Sequence, residues 1–197
     1  MRPLVNLPLQ LFNTVSSPFT PPIPTKANRS MTWGGCNPSI LGLALAHAAA
    51  QHPAPLLVAT SDVREARRLA NELAFYLGNQ DLPVIIFPDW ETLPYDVFSP
   101  LPELVSERLL TLHRLMGLQR GIVLAPIATL VQRILPKTFL EAHSLLLKVG
   151  QQLDFDHFRR KLEHAGYNAV SQVMSHGEFA VRGSLIDLFP MGSDAPL

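Results

Sequence analysis

Residues 56–77 read LLVATSDVREARRLANELAFYL, and this stretch decides the fold class. The run Leu56-Leu57-Val58-Ala59 is short and apolar, which is typical of a strand buried on both faces. Asp62 is a good N-cap for a following helix that ends near Leu77. The apolar residues of that helix fall on one face (Val63, Ala66, Ala70, Leu73 and Leu77). A buried strand followed by an amphipathic helix predicts one β–α unit of a parallel sheet.

The same alternation continues on both sides of this unit. Before it, Asn37 and Pro38 have the residue types of an N-cap and a first helical position, and they predict a helix over 38–52. After it, the apolar periodicity predicts two further strands and two further helices (strands 84–87 and 122–125, a helix over 103–116 and a helix begun by Pro126). The pattern predicts an α/β fold, with a parallel sheet covered by helices on both faces.

Three regions differ in character. Residues 1–30 contain six of the eighteen prolines and no acidic residue, which predicts an irregular leader. We assign residues 31–142 to the α/β domain. Residues 143–197 contain strand candidates at 145–147 and 169–173, a helix at 154–164 and a hairpin around Gly183-Ser184. They predict a small α+β module, which we expect to be truncated because no further element follows the hairpin.

The composition excludes several classes of protein. Sixteen basic and sixteen acidic residues give no overall positive field for nucleic acid. The one cysteine excludes a disulfide framework and a multi-cysteine zinc site, and is compatible with a reducing cytoplasm. The seven histidines are not spaced with other ligands as a metal set. We therefore expect no bound metal. We also expect no catalytic residue and no membrane span.

A phosphate-binding loop, if the domain had one, would lie just before the helix at 38–52. Gly34, Gly35 and Asn37 are there, but the Gly-Lys-Ser/Thr that holds phosphate and magnesium is missing. Pro38 also lacks the N–H that such a loop would use. The sequence predicts either a degenerate, non-functional phosphate loop or a plain helix start, and therefore no ATP or magnesium.

A long aromatic loop with several prolines follows the strand at 84–87. Its distinctive residues are acidic, aromatic and proline side chains (Asp89, Trp90, Glu91, Pro94, Tyr95 and Asp96). Such a loop is typical of an interface or a structural support, or it folds onto its own domain. Asp89 and Glu91 are candidates for a metal ligand, for an N-cap or for a hydrogen bond within the loop.

Two blocks of this sequence resemble one family. Residues 89–100 are similar to a signature of the bacterial transcription-repair coupling factor (Mfd) family, and residues 172–174 and 177–192 match it independently. The related repair protein UvrB carries a similar arginine-glycine and phenylalanine-proline pattern. The resemblance covers roughly residues 35–194. It implies a UvrB-like, helicase-like α/β domain that has lost its phosphate loop, interrupted by a UvrA-binding insert.

The resemblance also implies a function for the N-terminal part of such a protein. That function is recruitment of UvrA to RNA polymerase stalled at DNA damage, in transcription-coupled nucleotide excision repair. Arg182 matches the insert arginine that the family uses against UvrA, Gly183 lies beside it, and we add Glu178 as a neighbouring rim residue. For the loop after residue 88, the resemblance favours a structural role in which Trp90 and Tyr95 pack on the domain body, with residual DNA contact as the alternative.

The other activities that the resemblance implies belong to regions outside these residues. They are ATP- and magnesium-dependent translocation, and contacts with RNA polymerase and double-stranded DNA. We expect this part to be a cytoplasmic bacterial binding module with UvrA as its partner. Two alternatives stay open: a UvrB- or helicase-like ATPase fragment with an unusual nucleotide site, and a stand-alone α/β interaction domain.

Overall fold

A computed structural model gives the fold of the chain. It describes residues 13–14, 17, 19–24, 30–34, 36–78, 80–92, 97–143, 147 and 149–197. The helices are α1 (Pro38–Gln51), α2 (Val63–Leu77), α3 (Pro102–Gly117), α4 (Ile127–Leu130), α5 (Lys137–His143) and α6 (Phe155–His164). The strands are β1 (Asn13–Thr14), β2 (Trp33–Gly34), β3 (Leu56–Thr60), β4 (Val84–Ile86), β5 (Ile122–Pro126), β6 (Asn168–Ala169), β7 (Glu178–Arg182) and β8 (Leu185–Leu188).

The larger sheet has three parallel strands in the order β3-β5-β4. In the register, Leu57 and Ile85 both lie beside Val123 of the central strand. Every residue of β5 is buried, as expected for a central parallel strand covered on both faces. The predicted α/β class with a parallel sheet is confirmed.

Alternate residues of β5 pack against different helices. Ile122 and Leu124 belong to a core cluster with buried residues of α1 and α2, such as Ala46 and Leu73. Ala125 belongs to a second cluster with Leu112 of α3, Phe87 and Leu140. Since successive side chains of a strand point to opposite faces, helices cover the sheet on both sides.

The ends of α1 and α2 are fixed by side chains. The Asn37 side chain accepts a hydrogen bond of 2.8 Å from the Ile40 N–H, and Asp62 accepts one of 2.8 Å from the Glu65 N–H. Both residues are therefore N-caps, as predicted. At the other end of α1, Arg120 donates to the Ala50 carbonyl over 2.7 Å and so joins this helix to the segment that enters β5.

A smaller sheet, in the order β6-β7-β8, lies in the C-terminal part of the chain. The strands β7 and β8 form the predicted antiparallel hairpin, and β6 pairs parallel with β7. The helix α6 covers one face of this sheet, where Phe158 and Leu162 pack with Phe179 and Leu188. The strand predicted at 169–173 is wrong beyond Ala169. After Val170 donates to the Phe179 carbonyl, the chain bends at residues 171–172 and leaves the sheet.

Part of the segment predicted as an irregular leader contacts the first helix. The two-residue strand β1 pairs parallel with β2. The Trp33 indole N–H donates to the Pro22 carbonyl over 3.0 Å, and the Phe19 ring meets the His47 ring edge-on at 5.4 Å.

The predicted division into residues 1–30, 31–142 and 143–197 stays a prediction. Of the strand candidate at 145–147, residues 145 and 146 lie outside the described residues.

None of the helices in the described ranges combines the length and the apolar character that a membrane crossing requires.

Candidate functional site

The β7–β8 hairpin presents the arginine singled out in the sequence. Arg182 and Leu185 are directly opposite each other, and Gly183 and Ser184 form the two-residue turn between them. Gly183 has φ +60°, a positive value that glycine adopts without strain in a two-residue hairpin turn. Residues 181–185 are all exposed. The turn therefore places Arg182 at the free end of the hairpin.

The Arg182 side chain is held at one side and open at the other. Its Nη2 donates to the Ser171 carbonyl over 3.3 Å and lies 3.7 Å from Oδ2 of Asp187. The side chain is nevertheless 59% exposed. Guanidinium has five N–H donors in a planar fork, so contacts made by one nitrogen leave donors for a second carboxylate. The arrangement can bind an acidic group from another molecule.

Glu178 does not lie beside Arg182. The two are the first and last residues of β7, which puts their Cα atoms roughly 13 Å apart at about 3.3 Å per residue. The Glu178 carboxylate accepts hydrogen bonds from the N–H groups of Met174 and Ser175, over 2.8 and 2.9 Å. These two bonds lower the pKa of Glu178 below its ordinary value. The structure thus gives Glu178 a role in holding the turn before β7.

The loop after β4 is organised around Arg108 of α3. The Arg108 guanidinium lies over the Phe87 ring at 4.8 Å and over the Trp90 ring at 4.2 Å, and it donates to the Pro88 carbonyl. Only 3% of Arg108 is exposed. Burial lowers its pKa, and the negative charge of Asp89 partly opposes this shift. The cation and the two rings form a stack that fixes the first residues of the loop on the domain.

The acidic residues of this loop have different surroundings. The Asp89 carboxylate accepts from the Trp90 N–H over 2.9 Å and from the Gln132 side chain over 3.2 Å. Glu91 is exposed and has φ +57°, a conformation that residues other than glycine rarely adopt. Pro94, Tyr95 and Asp96 lie outside the described residues.

The residues of the predicted degenerate phosphate loop are not arranged at the three-stranded sheet. Gly34 belongs to β2, which pairs with β1 and not with β3, β4 or β5. Asn37 uses its side chain to cap α1, and Gly35 lies outside the described residues. In a phosphate loop the strand that precedes the glycines belongs to the main parallel sheet, whereas the strand that precedes α1 here is β2, which lies outside the β3-β5-β4 sheet. Within the described residues, no three His, Cys, Asp or Glu side chains are grouped as a metal site.

Sequence reasoning assigned no role to two residues of α3 that prove to make long-range contacts. Arg108 is one of them, and Ser106 is the other: its hydroxyl accepts from the Gly192 N–H over 2.8 Å, which joins the C-terminal part of the chain to α3. For Arg108 a signal was present, because it lies four residues from both Leu104 and Leu112 on the apolar stripe of the helix. For Ser106 no local pattern points to a partner 86 residues away.

Comparison with known proteins gives a consistent result. The family model described as "UvrB interaction domain" matches residues 145–197, which include the hairpin. The chain is 48% identical over 178 residues to the transcription-repair-coupling factor of Haemophilus influenzae, and 42% identical over 174 residues to that of Escherichia coli. The corresponding protein of Staphylococcus aureus is 31% identical over 166 residues.

These matches cover most of this chain and a small part of each relative. For the H. influenzae and E. coli proteins they cover 90% and 88% of this chain, and 15% of the relative in both cases. For the S. aureus protein the shares are 84% and 14%. The resemblance of residues 89–100 and 172–192 and these identities lead to the same conclusion: the chain belongs to the transcription-repair-coupling factor family.

Proposed function

We propose that this chain supplies the UvrA-recruiting, N-terminal part of a transcription-repair-coupling factor. In that role it brings UvrA to RNA polymerase stalled at damaged DNA, and so starts transcription-coupled nucleotide excision repair in the bacterial cytoplasm. One observation carries the proposal: an exposed arginine at the free end of a hairpin lies within the stretch that matches the UvrB interaction domain family.

The proposed chemistry is recognition of a carboxylate. A guanidinium fork can hold a carboxylate through two parallel N–H···O bonds, and arginine is enriched among the residues that dominate interface energies. Ser171 and Asp187 hold the guanidinium at one edge and limit the orientations that the side chain samples. We propose Arg182 as the anchor of the contact and Gly183 as the residue that allows the tight turn beside it.

We further propose that this part acts by binding and not by catalysis. Residues 32–37, directly before α1, contain no lysine to hold a phosphate, and the Asn37 side chain caps the first turn of the helix. On this proposal the domain is a UvrB-like, helicase-like fold with a degenerate phosphate loop, and it takes neither ATP nor magnesium. ATP-driven translocation and contacts with RNA polymerase and DNA belong to the remainder of the longer protein.

Binding to purified UvrA tests the recruitment proposal. Replacement of Arg182 by Ala is expected to weaken binding at least tenfold, or about 1.4 kcal/mol, because it removes the charged anchor. Arg182→Lys should restore part of the loss, since it keeps the charge without the fork. The matched control is Arg64→Ala. The Arg64 side chain lies on α2 and is 95% exposed, so its removal should leave the affinity for UvrA unchanged. Absence of any UvrA binding by the unmodified chain would rule the proposal out.

Calorimetric titration with Mg-ATP tests the binding-only proposal separately. We expect no heat of binding from this chain. Saturable binding of ATP would instead favour the ATPase alternative, whatever the result with UvrA.

A further inference from the structure

The hairpin carries two residues at its end that share one face. In an antiparallel pair, residues directly opposite each other project to the same side of the sheet. Arg182 and Leu185 are such a pair, and Ala180 and Asp187 are the next pair on that face. Val181 and Ile186, the pair between them, project to the other face. Arg182 therefore has an apolar side chain as its direct neighbour.

Leu185 is unusually open for a large apolar residue. It is 68% exposed, whereas Leu188 on the same strand is buried in the core with α6. A side chain added at Gly183, in the turn, would meet no atom within 4 Å. The end of the hairpin is thus accessible to a partner, and Leu185 is not among the residues of the core cluster that Leu188 forms with α6.

An apolar neighbour changes what an exposed arginine can do. In water, an ion pair with a partner carboxylate is weak because the solvent screens it. When apolar groups around the pair exclude water, the local dielectric falls and the same pair becomes stronger. A leucine whose β-carbon lies roughly 5 Å from that of the arginine is close enough to give this shielding.

We propose that Leu185 and Arg182 together form the docking patch for UvrA, with Leu185 as the residue that shields the charged contact from water. This inference rests on the proposed recruitment of UvrA. It specifies the surface that UvrA must offer: a carboxylate that faces Arg182, beside an apolar depression that receives Leu185. The electropositive guanidinium and the open leucine favour such a mixed acidic and apolar surface over a purely acidic one.

The test compares two threonine substitutions on the same hairpin, both measured for affinity to purified UvrA. Leu185→Thr removes apolar surface but keeps a residue that is favourable in a strand. The matched control is Val181→Thr, because Val181 is also exposed, at 45%, but projects to the opposite face. We expect Leu185→Thr to weaken binding about fivefold to twentyfold, and Val181→Thr to change it less than twofold.

The salt dependence gives a second readout. Without Leu185 the charged contact is more exposed to solvent, so the affinity of Leu185→Thr should fall more steeply between low and high salt than that of the unmodified chain. A mutant that binds within twofold of the unmodified chain, with the same salt dependence, would overturn the inference and leave recruitment intact. An equal loss in Val181→Thr would overturn it too. Failure of the unmodified chain to bind would instead remove the proposed function itself.

Discussion

At the scale of single residues, Arg108 joins the first residues of the loop after β4 to α3. Its guanidinium lies over the rings of both Phe87 and Trp90 and donates to the Pro88 carbonyl. Arg108→Ala leaves that carbonyl without its donor, opens a cavity and removes two cation–π contacts. We expect a loss of about 2–4 kcal/mol in the free energy of unfolding, measured by urea denaturation.

The control for this experiment is Arg114→Ala, since Arg114 is exposed on the same helix. It should change the free energy of unfolding by less than about 0.5 kcal/mol. In a Trp33→Phe background, the fluorescence of Trp90 should shift to longer wavelength in Arg108→Ala only. Equal unfolding midpoints for the two alanine mutants would show that the stack does not stabilise the fold.

Glu178 gives a prediction about pH. Its pKa is lowered in the folded state by the Met174 and Ser175 N–H groups, relative to an ordinary value of 4.5. A lowered folded-state pKa adds stability that is present above pH 4.5 and is lost as the pH falls through the folded-state pKa. Glu178→Gln should therefore be less stable than the unmodified chain at pH 7, and the difference should shrink below pH 4.5. A constant difference in unfolding midpoint from pH 7 to pH 3 would contradict this account.

At the scale of elements, the sequence predicts those that are specified by local chemistry. The helix α2 follows from the Asp62 cap and a periodic apolar face, and the hairpin follows from two apolar runs around Gly183-Ser184.

The short β6 shows where prediction from local sequence patterns fails. Residues 169–173 have the composition of a strand, but the chain bends at residue 171, and that bend places the Ser171 carbonyl where Arg182 can donate to it. A contact eleven residues away is not part of a local pattern.

The hairpin turn itself can be tested at this scale. Gly183 has φ +60°, which costs an L-residue about 1–2 kcal/mol. Gly183→Val should therefore lower the free energy of unfolding by at least that amount, and Gly183→Asn by less, because asparagine tolerates positive φ better. Ser184→Ala is the control, since Ser184 is exposed and is not a positive-φ position. If thermal unfolding shows valine and asparagine to be equally tolerated, backbone conformation is not what requires glycine there.

At the scale of the whole molecule, the candidate site was predictable only in part. Arg182 was singled out by resemblance and Gly183 as its neighbour, and their part in a UvrA contact stays a prediction; the structure places both at the hairpin end. Glu178 was expected beside them, but strand geometry places it at the other end of β7. The contacts of Arg108 with Pro88 and of Ser106 with Gly192 span 20 and 86 residues. Periodicity and capping describe neighbours along the chain, so contacts of this length depend on the packing of the complete fold.

The Ser106–Gly192 contact leads to a prediction about how the two parts of the chain are joined. Ser106 is only 3% exposed, and its hydroxyl accepts the Gly192 N–H over 2.8 Å. Ser106→Ala leaves that N–H without a partner, at a cost of about 1–3 kcal/mol. We expect faster amide hydrogen exchange at Gly192 and in the segment after β8, while β5 in the parallel sheet keeps its protection. Ser99→Ala, at an exposed position before α3, should change neither region. If Ser106→Ala leaves the exchange rate at Gly192 unchanged, other contacts hold the C-terminal segment against α3. If exchange instead becomes faster throughout β5, the Ser106 hydroxyl stabilises the whole domain and not the junction alone.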